Sequence, residues 1–201
     1  MNIRISLVIS ILFVLLVAYL THLEEPEKEL IISEAKLVIP FDTLEEMHSM
    51  SPLIVVAKKT SFKPVIQLDG LGHPIFDYTV STLKIITVIK DETGKHLSPE
   101  TDIRILETVA STRTKTYSTA GYMPMKVDHP YLLFLDYNLS EEGPLVGAYN
   151  IQGISVGKFP IEPDTGAITQ LTPRESKHLT PYILHLHQDF AKSITKYDNL
   201  K

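Results

Sequence analysis

The chain has 201 residues, with 19 Lys and Arg against 24 Asp and Glu and a formal net charge of −5, a balance ill suited to the phosphate backbones of nucleic acid. It has no cysteine, which excludes disulfide scaffolds, thiolate metal sites, cysteine nucleophiles and lipid attachment through a cysteine. Such a length is that of one domain, large enough to be held together by its own core.

The first element is an uncharged apolar run, Ile5 to Leu20, with Arg4 before it and Glu24, Glu25, Glu27 and Glu29 after it. Positive charge before an apolar run predicts entry into a membrane with the N-terminus cytoplasmic and the rest extracellular. A span takes about 20 apolar residues, and Ile3 to Leu23 is the generous limit of this one. The stretch Val17-Ala18-Tyr19-Leu20-Thr21-His22-Leu23 lacks the small-x-small pattern of a cleavage site. Residues 1–23 therefore read as a single-pass transmembrane anchor, with cleavage and secretion as the alternative. Residues 24–40 read as a charged stalk, and residues 41–201 as one extracytoplasmic domain.

A short helix opens that domain. Asp42-Thr43-Leu44-Glu45 fits a capping box, and Pro52 stops the helix soon after Met50. Strand-like runs follow at Leu53–Ala57, Tyr78–Lys90, Asp102–Ala110, Pro130–Tyr137, Val146–Ile151, Ile154–Ile161 and Ala167–Leu171. Turn residues separate them at Asp69-Gly70, Asp91-Glu92-Thr93-Gly94, Glu142-Gly143-Pro144 and Asp164-Thr165-Gly166. Strands do not alternate with long helical patterns, so the domain is predicted to be mainly β, an antiparallel barrel or sandwich. Thr180-Pro181 then caps a C-terminal helix whose apolar stripe is Ile183, Leu186, His187, Phe190 and Ile194.

The order of these elements carries a resemblance. A short helix leads into Ser51-Pro52-Leu53-Ile54-Val55-Val56-Ala57-Lys58. The strands Thr82 to Lys90 and Asp102 to Glu107 come next, and Val127 to Leu135 precedes a segment ending Gly157-Lys158-Phe159. Over residues 42–160 this pattern resembles the netrin-like (tissue-inhibitor-of-metalloproteinase-like) OB barrel, and also uncharacterised surface proteins of Gram-positive bacteria with a Tyr-Leu-Leu-Phe-Leu strand. The resemblance implies an OB-like β-barrel and a binding role. It transfers no site residue, because the protease inhibitors of that family act through a free N-terminal cysteine and this chain has none.

Catalytic patterns are weak. Gly153-Ile154-Ser155-Val156-Gly157 matches the Gly-x-Ser-x-Gly elbow, but that elbow needs a helix after it and Lys158-Phe159-Pro160-Ile161 reads as strand. His185 and His187, two apart on a predicted helix, point to different sides and cannot share an ion, so no metal is assigned. The acidic pairs Glu45-Glu46, Asp91-Glu92 and Glu141-Glu142 are sequence neighbours at turns or a helix start, unlike carboxylates facing across a cleft.

Loops offer better candidates. Ser111 to Met125 is long and polar and is read as exposed, with Tyr117, Tyr122, Met123 and Met125 as candidate partner-binding residues. Ser61 to Phe76 is a second candidate, with Phe62 and Phe76. The expectation is a membrane-anchored extracytoplasmic binding module, non-catalytic and without a cofactor. Its partner would be an envelope protein or a cell-wall or peptide ligand. A structural or assembly subunit of an envelope complex is the alternative, and a surface hydrolase a third reading.

Overall fold

The computed structural model describes residues 28–33 and 39–195. The proposed anchor, residues 1–23, lies outside the described residues, as does much of the stalk. Among the described residues no helix is long and apolar enough to cross a membrane.

The domain is mainly β, with a short helix near its start and a longer one at its C-terminal end. In chain order the strands are β1 (Glu29–Ser33), β2 (Leu53–Leu68), β3 (Pro74–Asp91), β4 (Asp102–Glu107), β5 (Val109–Ser111), β6 (Lys115–Thr119), β7 (Pro130–Tyr137), β8 (Tyr149–Ile151) and β9 (Lys158–Pro160). The α-helices are α1 (Leu44–Met50), α2 (Pro173–Ser176) and α3 (Pro181–Ser193).

Two sheets organise these elements. One has the order β2-β3-β4-β8-β7-β9, and β2 also pairs with β7, so the ladder runs β2-β3-β4-β8-β7 and returns to β2. The β4–β8 pairing is parallel and the others in this ring are antiparallel. A smaller sheet, β1-β6-β5, leaves the ring where β5 follows β4. Part of the segment read as a stalk is therefore a strand, β1, parallel to β6.

The apolar runs of β2 and β7 are continuous rather than alternating because both of their faces are buried. Leu53, Val55, Ala57, Tyr131, Leu133 and Leu135 point into one core with Leu83, Ile85, Ile103 and Ile105. Ile54, Val56, Leu132 and Phe134 point the other way, into a second core closed by Met47 of α1 and by Ile183, Leu186 and Phe190 of α3. Phe134 meets Phe159 edge-on at 5.9 Å between ring centres.

Helix starts follow their capping residues closely. The α1 cap is Thr43 with Glu46 reciprocating, one residue later than the Asp42–Glu45 box expected, because the Thr43 hydroxyl accepts from Glu46 N and the Glu46 carboxylate accepts from Thr43 N. The α3 cap is Thr180, with Pro181 opening the helix, as the sequence predicts. The run Ala167–Leu171 does not form a strand; only an isolated bridge joins Ile168 to Ile161. The Gly153–Gly157 pentapeptide is a turn between β8 and β9, followed by strand rather than helix.

The largest departure is in β2 and β3. The sequence predicts a five-residue strand at Leu53–Ala57 and a loop over Ser61–Phe76. Instead both strands continue, paired from Leu53 and Asp91 out to Leu68 and Pro74. The β7 strand accompanies β2 only as far as the Lys58–Pro130 pair. Past it β2 is an edge, while β3 keeps β4 beside it as far as the Thr79–Glu107 pair; beyond Pro64 and Thr79 the two strands project alone as a two-stranded arm.

Candidate functional site

The site has two parts, the arm and the clamp at its root. The arm is rich in β-branched and aromatic residues (Phe62, Val65, Ile66, Ile75, Phe76, Tyr78), which suits a strand as well as a core does. Its turn is written by Asp69-Gly70-Leu71-Gly72, with Gly72 at φ 84°, in the left-handed region that glycine tolerates. Phe62, Leu68, Leu71, Ile75 and Phe76 are all exposed, Leu71 at 83% and Phe62 at 56%. They are spread over both faces of the ribbon, Phe62 on the face of Ser81 and Phe76 on the face of Gln67. Asp77, on the face it shares with Ile66, is partly desolvated, and its carboxyl pKa is raised by that burial.

The root is a buried polar knot. Glu107, at the end of β4, is fully buried, and all of its carboxylate capacity is engaged. Its Oε1 accepts from Lys59 Nζ at 2.6 Å and from the Ser81 hydroxyl; its Oε2 accepts from Tyr122 Oη at 2.9 Å and from Met125 N at 2.6 Å. Burial pushes the Glu107 pKa up. Lys59, Lys158 and the hydrogen bonds outweigh that and hold it below the ordinary value. Lys59 Nζ also donates to Met125 O at 3.0 Å and lies 4.6 Å from the Phe62 ring centre. Lys59 and Ser81 thus bind the two arm strands, at the point where the arm leaves the body, to β4 and to the 120–125 segment.

A second buried lysine stands behind the first. Lys158 of β9 donates to Met123 O, and its Nζ lies 3.9 Å from the Tyr122 ring centre. Burial lowers its pKa to about 8, against the opposing pull of Glu107. His187 of α3 bonds the Lys158 carbonyl at 3.0 Å and stacks on Phe159 at 4.7 Å. Burial lowers the His187 pKa to about 4. Burial raises Tyr122 well above the ordinary phenol range, with the Glu107 carboxylate adding to the shift.

The candidate residues fall on both parts of this site. Tyr122, Met123 and Met125 come together at the root with Phe62, whereas Phe76 sits far out on the arm opposite Gln67. The expected exposed loop over Ser111–Met125 is corrected. Lys115–Thr119 forms β6, and Tyr117, Tyr122 and Met125 are buried, because the 120–125 segment folds back to cap Glu107. Gly121 allows that return. At φ 75°, a Cβ there would lie 2.1 Å from the His178 carbonyl oxygen.

Sequence reasoning missed Lys59, Ser81, Glu107 and Lys158. One signal was readable. Ile103, Ile105 and Glu107 share the inward face of an alternating strand, so a carboxylate falls where a core residue belongs.

A cavity of about 320 Å³ adjoins Tyr122 and is lined by Leu106, Thr108, Asn138, Asn150, Ile151 and Ile154 among others. Its amides are already engaged: Asn138 Nδ2 donates to Asn150 Oδ1 at 2.8 Å, and Asn150 Nδ2 to Tyr137 O at 3.2 Å. His185 is exposed and pairs with Asp189 at 3.1 Å, while His187 is buried on the other side of α3. Among the described residues no three His, Asp or Glu side chains are grouped as a metal ion would require. No family model matches the chain, and no curated protein matches it either.

Proposed function

We propose that the protein is a membrane-tethered, extracytoplasmic binding module that acts by contact, with the β2–β3 arm as its contact element. The observation that carries this reading is the run of exposed apolar side chains on an arm whose root is locked. A two-stranded ribbon has little stability of its own in water. Here the ion-pair knot fixes the root and leaves the flanks free to meet a partner. The tether is the apolar run Ile5–Leu20.

An OB-like barrel fits the ring of pairings. Numbered along the ring strands, the order is 1-2-3-5-4, with strand 4 returning to strand 1 and strands 3 and 5 parallel. In OB barrels the connection between the first two strands commonly binds ligands, and that connection is the arm. A contact role rather than catalysis is also supported by Glu107, whose carboxylate is saturated by four donors and sealed from solvent. The partner class is an envelope protein or a cell-wall or peptide ligand. Assembly within an envelope complex remains the second reading, favoured by the same apolar arm.

Photocrosslinking in the native envelope tests the proposal. A photoreactive residue at Phe62 or Phe76 is expected to capture an envelope component, and one at Glu142 on the far side to capture none. Capture of cytosolic proteins alone would defeat both topology and role.

A further inference from the structure

The tip of the arm is constructed differently from its flanks. Its backbone is satisfied from within: Asp69 N donates to His73 O at 2.8 Å and Gly72 N to Asp69 O at 3.1 Å. Leu71 N and His73 N both donate to the Asp69 carboxylate at 2.8 Å. His73 Nδ1 stands 3.5 Å from the same carboxylate. Leu71 occupies the apex, and Leu68 and Ile75 stand just behind it, 44% and 52% exposed. A loop that engages its own amides and raises a leucine at its apex loses little on leaving water.

Charge points the same way. From Thr60 to Thr82 the only formal charges are Lys63, Asp69 and Asp77. Exposed strand edges on soluble proteins are usually protected by charge. Pro64 and Pro74 have no amide hydrogen to give, so this edge is a poor template for a further strand.

Chain connectivity gives the occupant. The apolar leader ends at Leu23 and β1 begins at Glu29, and so short a connection spans at most about 21 Å. The β1 strand belongs to the sheet that ends in β5, and the Val109 carbonyl of β5 accepts from the Thr79 hydroxyl at 2.6 Å. Thr79 pairs with Pro64 at the base of the arm. From that pair to the turn at Gly70 is about 20 Å of strand. The strand through which the chain enters and the arm therefore share one side of the body, and the tip can reach the surface that holds the leader.

We infer that the arm tip, with Leu71 at its apex and Leu68 and Ile75 beside it, seats in the lipid interface of the membrane to which the leader tethers the chain. This rests on the tethered reading above. The open edges of a two-stranded ribbon bar it from the hydrocarbon interior, where unpaired backbone groups have no water. Contact is thus confined to side chains entering the boundary of headgroups and acyl chains, about 5–10 Å deep. The seated tip holds Phe76 just above the bilayer and Phe62 farther from it, near the root, and leaves both open to the partner.

The absence of native cysteine makes the test direct. The full chain is reconstituted into phosphatidylcholine–phosphatidylglycerol vesicles as single-cysteine variants Leu71→Cys, Ile75→Cys and Glu142→Cys, each labelled with nitrobenzoxadiazole. Glu142 follows β7, whose end pairs with Leu53, at the opposite end of β2 from the arm. Lipids carrying a shallow nitroxide are expected to quench the Leu71 and Ile75 labels about twofold or more and to leave the Glu142 label unchanged, as an interfacial depth requires. Protein that floats with the vesicles while its Leu71 label stays unquenched overturns the inference and leaves the tether intact. Labels shielded from aqueous iodide but not quenched by lipid, with unlabelled Leu71→Cys chains forming disulfide dimers, assign the tip to a second copy and also overturn it. Failure to float defeats the tethered reading, and this inference with it.

Discussion

The two halves of β2 have nearly the same kind of sequence and opposite fates. Leu53-Ile54-Val55-Val56-Ala57 is buried on both faces, whereas Phe62-Lys63-Pro64-Val65-Ile66, later in the same strand and paired to the same neighbour, is largely in solvent. Strand propensity does not separate them. The second neighbour does: β7 flanks the first half and stops at Pro130, opposite Lys58. Behind the first half lie α1 and α3; the second half has no such cover, and beyond Pro64 and Thr79 only the ladder between β2 and β3 continues. A run of β-branched residues therefore states that a segment can be strand, and only the surrounding topology decides whether it is core or presented surface.

Substitutions in the two regions should separate by stability and by binding. The largest effect is expected at the knot. Glu107→Ala leaves Lys59 and Lys158 buried without their carboxylate and is predicted to cost about 3–5 kcal/mol in urea unfolding. The same pair gives a pH dependence. The folded-state pKa of Glu107 is depressed, so its contribution is complete above the ordinary carboxyl value of 4.5 and is lost as pH falls below it. On the body side, Phe134→Ala opens space between β7, β9 and the helices, and about 3–5 kcal/mol is expected there too.

His187 is next in size. Its pKa is lowered to about 4, so between pH 6.5 and 4 the unfolded chain takes up a proton that the folded chain refuses. Stability then falls with pH across that window, by about 3 kcal/mol over the whole of it. In His187→Leu this component of the pH–stability curve should disappear. The smallest effect on stability belongs to the arm. Phe76→Ala is expected to shift unfolding by no more than about 0.5 kcal/mol, since its side chain is half exposed and far out on the arm, and Phe62→Ala by about 1 kcal/mol, since its ring also lies against Lys59, while both abolish partner capture. A large loss of stability from either would mean that the arm packs against the body.

Sequence reasoning located the body well and the site poorly. Period-two alternation at Asp102–Ala110, the run Pro130–Tyr137 and the Thr180-Pro181 cap are local signals; the run and the cap give elements where they are predicted, while the alternating stretch is divided at Thr108 into β4 and β5, which belong to different sheets. The arm reads as a loop in the sequence because Pro64, Gly70, Gly72 and Pro74 are turn and breaker residues. In an arm with free edges, prolines are tolerated, and the glycines are confined to the tip. Ser111–Met125 reads as a long, polar, exposed loop because the burial of its 120–125 segment depends on one distant residue, Glu107. No local pattern reports that a tyrosine and a backbone amide have a carboxylate waiting for them across the fold. The strand β1 is a short apolar run, Leu30-Ile31-Ile32, masked in the sequence by the charged stretch Glu24 to Glu29 that leads into it.

The central claim is that the arm is a surface held in readiness by a rigid root and covered only in its native setting. Reactivity of single cysteines tests this most directly. Phe62→Cys, Phe76→Cys and Glu142→Cys are treated with a polar maleimide in isolated envelopes and again after release into non-ionic detergent. The account predicts that the two arm positions are protected in the envelope and react after release, while Glu142→Cys reacts equally in both. Equal reactivity of all three positions in both states would contradict it.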